Sequence, residues 1–324
     1  MLIQVFILVV SLVVLVWSAD KFVYGASSLA RNLGVAPMII GLTIVAMGSS
    51  APEMMVAATA SFNGSPDTAV GNAIGSNITN IALVLGLTAI FQPLLVSSST
   101  VRRELPLILL VTAVAFWMIS DSQLTFAEGL ILIAGFVTYI LSLLLITLKR
   151  SKSAPIDDPM LLEAEQDVPE GVSTGWAIFW LALGIIALPL SAHFLVDSAV
   201  FIAKVFGVSD LVIGLTIIAI GTSLPELAAS IASIVKKEDD LALGNIIGSN
   251  IFNILAVLPL AGLIAPGGID ANAASRDSPY MLAVTLLLFF LCFSRKKGFR
   301  ITRLKGAALL SCFIAYQVIL FSQL

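Results

Sequence analysis

The chain has 324 residues, 59% of them hydrophobic and only 11% charged, where an ordinary soluble protein carries about 25% charged residues. So little polar side chain cannot cover a water-soluble fold of this length, and because ~20 apolar residues cross a hydrocarbon core, roughly ten crossings fit. The balance of 17 basic to 20 acidic residues excludes a nucleic-acid binder driven by bulk positive charge. Cys292 and Cys312 lie in apolar stretches without CxxC spacing, so neither a disulfide framework nor a zinc site is indicated.

Met1 to Trp17 is apolar but lacks a basic start and a small-residue cleavage site before Asp20 and Lys21, which predicts a retained first helix rather than a signal peptide. Further apolar segments run over 37–61, 69–91, 104–120, 127–148, 175–196, 208–235, 241–264, 279–293 and 306–321. Together they predict an all-α integral membrane protein of ten transmembrane helices. Fifteen of the seventeen basic residues fall in the loops after odd-numbered spans, leaving Lys204 and Arg276 on the other side. The positive-inside rule makes those loops cytoplasmic and sends both termini to the outer face of the plasma (bacterial inner) membrane.

The chain repeats itself. Gly34 to Pro93 aligns without a gap on Gly207 to Pro266, at an offset of 173, with about 27 of 60 positions identical. One period holds five predicted spans, an odd number, so the second copy enters the membrane from the opposite side. Inverted-topology repeats organise many secondary transporters, with the substrate site near the midplane between the copies. The division is 1–148 for the first five-helix half (repeat 34–93), 149–174 for a linker and 175–324 for the second half (repeat 207–266). The linker, with Asp157, Asp158, Glu163, Glu165, Asp167 and Glu170, is expected to be a solvated cytoplasmic segment. A regulatory cation site there is the minor alternative.

Two acidic residues lie inside predicted spans: Glu53 in GSSAPE and its repeat mate Glu226 in GTSLPE. An acidic group at a helix centre costs roughly 2.5–3.5 kcal/mol on insertion scales and by default marks a function. Pro52 and Pro225 precede them, with Gly48 and Gly221 four positions earlier. Proline removes an N–H and clashes with the carbonyl four residues back, so each helix should break there. Broken backbone inside a bilayer is tolerated where it lines a polar cavity or protein. Ser49, Ser50, Thr222 and Ser223 add hydroxyl oxygens within the same breaks. Many oxygens, two of them negative, without sulfur or histidine, suit a hard cation.

The following spans carry GNAIGSNITN and GNIIGSNIFN. Ser76 and Asn80, like Ser249 and Asn253, are i,i+4 neighbours on one helix face, with Asn72 and Asn245 one turn back. Asn77 and Asn250 point elsewhere and read as structural hydrogen-bonding groups. Gly71 with Gly75, and Gly244 with Gly248, are GxxxG pairs that permit close helix approach. Two glutamates plus carbonyls approach the six to eight oxygens that calcium takes, while magnesium's stricter octahedral demand fits less well. The charge of −2 balances one Ca²⁺ or two monovalent ions, so competition for shared carboxylates couples exchange. No phosphate loop GxxxxGK[ST] is present, and the single histidine, His193, excludes HExxH chemistry. His193 reads as an interfacial polar residue. A membrane enzyme, a nucleotide-driven pump and a resident cofactor are therefore not expected; a cation channel remains a rival, disfavoured by broken helices in inverted halves.

These paired motifs resemble the two alpha-repeats of the sodium/calcium exchanger family, within the calcium/cation antiporter superfamily, and most of all its bacterial calcium/sodium branch. The resemblance implies Ca²⁺ held by Glu53 and Glu226 with the carbonyls of Ala46 and Ala219. It implies Na⁺ sites using Ser49, Ser50, Ser76, Thr222, Ser223 and Ser249, with Asn80 at the centre, and spans 1 and 6 sliding across a fixed core. The segments 1–33 and 175–206 carry few mid-span polar residues, which suits a moving element. Asn253 stands where some members carry aspartate, so the centre holds two carboxylates rather than three, and protons or potassium are admitted beside sodium as coupling ion.

Overall fold

The computed structural model describes residues 1–35, 37–97, 100–150, 172–206, 219–292 and 299–322. The acidic stretch of the linker, Lys152 and the basic residues 295–297 lie outside the described residues, as do 207–218 of the second repeat.

In chain order the helices are α1 Leu2–Leu33, α2 Met38–Ser49, α3 Ala51–Phe62, α4 Pro66–Phe91, α5 Leu105–Ile119 and α6 Phe126–Arg150. Then follow α7 Thr174–Val205, α8 Leu224–Val235, α9 Asp239–Ile264, α10 Ala273–Cys292 and α11 Arg303–Ser322. Among the described residues seven of these are long and apolar enough to cross a membrane, and α2 with α3, bent by 46°, pass the same test as a pair, which brings the number to eight if the pair is one broken span. Two segments fall short of the expected length: α5 has 15 residues and α8 has 12. A π-helical turn, Thr100–Glu104, runs directly into α5.

The first helix is longer than its apolar core of 3–19 implies. It runs for 32 residues, about 48 Å at 1.5 Å per residue, and carries Asp20 and Lys21 inside it. It stops where Gly34, at φ 62° and ψ 32°, takes the left-handed conformation and turns its N–H back to the carbonyls of Ala30 and Arg31. Its counterpart α7 is also 32 residues long, opened by Ser173, whose hydroxyl accepts from the Trp176 N–H at 3.3 Å.

These two long helices pack on one another along small residues. A Cβ at Gly25 would lie 2.5 Å from the Leu181 backbone nitrogen, and one at Gly184 would lie 2.5 Å from Phe22 Cβ. Without a hydrophobic drive between helices in lipid, close backbone approach and dispersion supply the attraction. Their buried residues, including Phe22, Val23, Ala26, Leu181 and Leu188, form one apolar cluster, separate from a larger cluster built on α4, α9 and the helices around them. Burial singles out two helices. The apolar windows of α4 and α9 are 78% and 89% buried, those of α1 and α7 22% and 28%, and those of α6, α10 and α11 22%, 33% and 22%. So α4 and α9 are the interior, and the α1–α7 pair presents residues such as Phe6, Val13, Ile186 and Leu190 outward.

Each half reaches across to the other. Leu94–Val96 after α4 pairs antiparallel with Phe299–Ile301 before α11, and Gly267–Gly268 after α9 pairs with Gln123–Leu124 before α6. Leu94 and Gly267 are 173 apart, so the two ribbons are repeat mates. The GxxxG glycines divide. A Cβ at Gly244 would meet the Met38 carbonyl at 2.7 Å, and one at Gly248 would meet Ala46 Cβ at 2.7 Å, so α9 lies directly on α2. At Gly71 and Gly75 no atom of the described residues comes within 4 Å of that position, and there the expected close approach is not seen.

Gly184→Val and Gly25→Val should separate α1 from α7, because backbone and Cβ atoms cannot yield. Overpacking of this kind costs about 1–3 kcal/mol, and the expected result is a clearly lower melting temperature of the detergent-purified protein.

Candidate cation site

The predicted breaks occur. Ser50, between α2 and α3, has φ −88° and ψ 11°; its repeat mate Ser223, before α8, has φ −93° and ψ 7°. Both lie in the bridge region, outside regular helix. Pro52 and Pro225 then open new helices at positions where no N–H is needed. Glu53 and Glu226 therefore fall in the first turns of α3 and α8, where the unpaired N–H groups of a helix start favour negative charge.

Both glutamates are 0% exposed. The Ser50 hydroxyl donates to Glu226 Oε1 at 2.9 Å, joining the break of the first half to the carboxylate of the second. Ser49 and Ser249 also lie against the Glu226 carboxyl, and Ser76 lies beside that of Glu53, which in turn feels the charge of Glu226. The Ser49 hydroxyl is 3.4 Å from that of Ser249 and 3.1 Å from Asn245 Oδ1. Glu53, Glu226, Ser49, Ser50, Ser76 and Ser249 are thus gathered into one cluster from α2–α3, α4, α8 and α9. The Ala46 carbonyl accepts the Ser50 N–H at 3.0 Å and the Ser49 hydroxyl at 3.3 Å. Ala219 stands in a single helical turn, Ala219–Gly221, before the second break.

Asn80 and Asn253 lie at the start of π-helical turns, as the second residue of Thr79–Val84 and the first of Asn253–Val257. The N–H groups of Leu85 and Leu258 reach back five residues to their carbonyls. Such single π turns inside α-helices recur at functional sites. Each wide turn sits one helical turn beyond the paired serine.

Several of these buried atoms have no hydrogen-bond partner among the described residues: both carboxyl oxygens of Glu53, Oε2 of Glu226, Ser223 Oγ, and the side-chain amides of Asn80 and Asn253. Buried polar groups are almost always paired, and a buried carboxylate without a counter-charge is costly. An oxygen-rich cluster of this kind matches the chemistry of a desolvated hard cation. No group of three or more His, Cys, Asp or Glu exists among the described residues, so hydroxyls, amides and carbonyls must complete any shell.

Sequence reasoning passed over Asn72 and Asn245 as ligand-shell residues. Asn72 Nδ2 donates to the Glu53 carbonyl at 3.1 Å, and Asn245 Nδ2 lies 3.5 Å from the Glu226 carbonyl. These are repeat-mated ties that fix each glutamate's backbone to the next span. Their recurrence in register was the available signal. Asn77 and Asn250 behave as expected: Asn77 Nδ2 donates to the Asn250 carbonyl at 3.3 Å, and Asn250 Nδ2 to that of Ile246 at 2.7 Å. His193 is exposed on α7, 3.3 Å from Asp197.

A cavity of about 240 Å³ is walled by Asn72, Ser76 and Thr222 from this region, and also by Arg276, Asp277 and Tyr316.

Comparison with known proteins fits this geometry. A sequence profile described as sodium/calcium exchanger protein matches residues 3–145 and 176–322. The putative antiporter CaxA of Alkalimonas amylolytica is 57% identical over 99% of this chain and 100% of its own length. The inner membrane protein YrbG of Escherichia coli is 44% identical over 91% of this chain and 90% of its own. Among solved structures, the sodium-calcium exchanger NCX_Mj soaked with 2.5 mM Na⁺ and 0.1 mM Ca²⁺ superimposes with a TM-score of 0.79 at 31% identity, covering 97% of each chain. Apolar spanning helices, a buried oxygen cluster and these matches together place the chain in the sodium/calcium exchanger family of membrane cation antiporters, which are transporters and not enzymes.

Proposed function

We propose that the chain exchanges Ca²⁺ for Na⁺ across the membrane by alternating access, with both ions competing for the cluster around Glu53 and Glu226. The observation that carries this reading is the burial of two carboxylates, three of whose four oxygens have no partner among the described residues, as is also true of the side-chain polar atoms of Ser223, Asn80 and Asn253. One Ca²⁺ neutralises the pair; so do two Na⁺, and neither set fits beside the other. Desolvation makes the empty, doubly charged state costly. A carrier that cannot cross between its two faces uncompensated must return loaded, and obligatory exchange follows.

The proposed ligand set is Glu53, Glu226, the carbonyls of Ala46 and Ala219, and the side chains of Ser49, Ser50, Ser76, Asn80, Thr222, Ser223, Ser249 and Asn253. The ten-span arrangement in two inverted halves is part of the proposal, as are cytoplasmic lysine- and arginine-rich loops and outward termini in the inner membrane. It is supported by the offset of 173, by the matching backbone of Ser50 and Ser223, and by a relative described as an inner membrane protein. The apolar cluster built mainly on α1 and α7, joined by Ile40, Val45, Ala229 and Leu241 of neighbouring helices, supports their moving as one body over the α4–α9 interior. Asn80 and Asn253 leave only two carboxylates at the centre, which favours a second reading with H⁺ or K⁺ as the coupling ion.

In proteoliposomes, Ca²⁺ uptake should saturate and require an opposing Na⁺ gradient; uptake driven equally by K⁺ or a pH gradient would select the second reading, and non-saturating flux without a gradient would indicate a channel. Glu53→Gln and Glu226→Gln should each reduce exchange to background while the protein still elutes as a folded species; normal uptake in either would remove the site. Asn245→Leu breaks the ties to Ser49 and the Glu226 backbone. At about 1–3 kcal/mol for stranded buried partners, it should raise the Ca²⁺ concentration for half-maximal uptake roughly tenfold.

A further inference from the structure

One wall of the cavity described above belongs to none of the proposed ligands. Arg276 Nε donates to Asp277 Oδ1 at 2.7 Å and its Nη2 to Oδ2 at 3.1 Å, a two-pronged pairing of adjacent residues. The Tyr316 hydroxyl donates to the same Oδ1 at 3.1 Å. The pair is largely enclosed, with 22% and 14% of the two side chains exposed, and Asp270 is a further charge acting on Arg276. Arg276 and Asp277 close the π-helical turn Ala273–Asp277 that begins α10, so their backbone is fixed at the helix entrance. The same cavity is bounded by Ser76 and Thr222.

The arginine–acid step has a repeat mate: Arg103 and Glu104 close the turn Thr100–Glu104, at the offset of 173. There Glu104 acts on Tyr139 of α6 through its charge, whereas at the second step Tyr316 of α11, which is not the repeat mate of Tyr139, bonds directly to Asp277. Only the second is on the wall of this cavity.

Low-dielectric walls focus the field of fixed charges into a cleft. Paired, Arg276 and Asp277 present a near-neutral dipole to a cation in the cavity. Losing the acid leaves a repelling charge; losing the arginine leaves an attracting one. We propose that Arg276 and Asp277, steadied by Tyr316, form an electrostatic gate for cations that reach the site through this cavity, setting apparent cation affinity from one side of the membrane. The inference rests on the exchange reading above. Neither residue belongs to the proposed ligand set, so the pair acts on capture and not on turnover of the loaded carrier, as charges at the rim of a binding surface do.

The test uses the full-length protein in vesicles of right-side-out and inverted orientation, with Ca²⁺ as the probe. Asp277→Asn should raise the half-saturating Ca²⁺ concentration on one side only, by about three- to tenfold, and Arg276→Gln should lower it on that side; focused fields supply changes of this order. Maximal rates should stay within about twofold of the parent, both shifts should shrink as inert salt is raised, and Asp277→Glu should restore the parent value. Shifts in the same direction for both variants, equal shifts on both sides, or a lost maximal rate with unchanged half-saturation would overturn the gate and leave the pair a structural brace. If the parent itself shows no saturable exchange, the exchange reading fails on its own. Stopped-flow Ca²⁺ association in detergent then decides the gate: opposite changes in rate support it, and unchanged rates refute it.

Discussion

Two carboxylates held side by side away from water govern everything around them. Their mutual repulsion and lost hydration would push such groups apart or neutralise them in an ordinary interior. Here the chain keeps them together by spending local regularity on their behalf. The helices break at Ser50 and Ser223 so that each acid stands at a helix start, Asn72 and Asn245 tie the backbone carbonyls in place, and the next spans widen into π turns that hold Asn80 and Asn253.

The rest of the fold divides according to distance from that centre. Helices α4 and α9, which carry Ser76, Asn80, Ser249 and Asn253, are buried on nearly every side, so their positions are fixed by packing in all directions. The α1–α7 pair lies outside, joined to itself more than to the interior, and is exposed over most of its length. A polar bridge crosses the divide where Lys236, just beyond α8, meets Asp20 of α1 at 2.6 Å. Partly exposed pairs of this sort contribute little stability, so the bridge adds little to the hold between the outer pair and the interior.

Much of this was legible in the residues. Glu53 and Glu226 stood out because charge is expensive in an apolar segment, and proline beside each named the break. The offset of 173 made every observation in one half a forecast for the other. What stayed hidden follows from the limits of pattern. A π turn adds one residue to a helical turn without changing composition, so the widenings at Asn80 and Asn253 leave no periodic trace. The extension of α1 from its apolar core to Leu33 depends on partners in α7, beyond the reach of a hydropathy window. The tie from Asn72 to the Glu53 carbonyl joins a side chain to backbone nineteen residues away, and sequence alone does not disclose which carbonyl an amide will meet. The Arg276–Asp277 step read as a loop charge because its importance lies in the cavity that it borders.

The bond between Asn77 and Asn250 bears on a wider question. Residues 173 apart, they meet where the two halves face each other, yet the relation runs one way: the Asn77 amide donates a hydrogen bond to the Asn250 carbonyl, and the Asn250 amide donates to that of Ile246. A duplicated chain whose copies were interchangeable would have no reason to prefer either donor. By choosing one, the molecule acquires a handedness along the membrane normal. The two faces of the molecule then cease to be mirror versions of one another, and any two arrangements related by exchanging the halves are free to differ in energy and in lifetime.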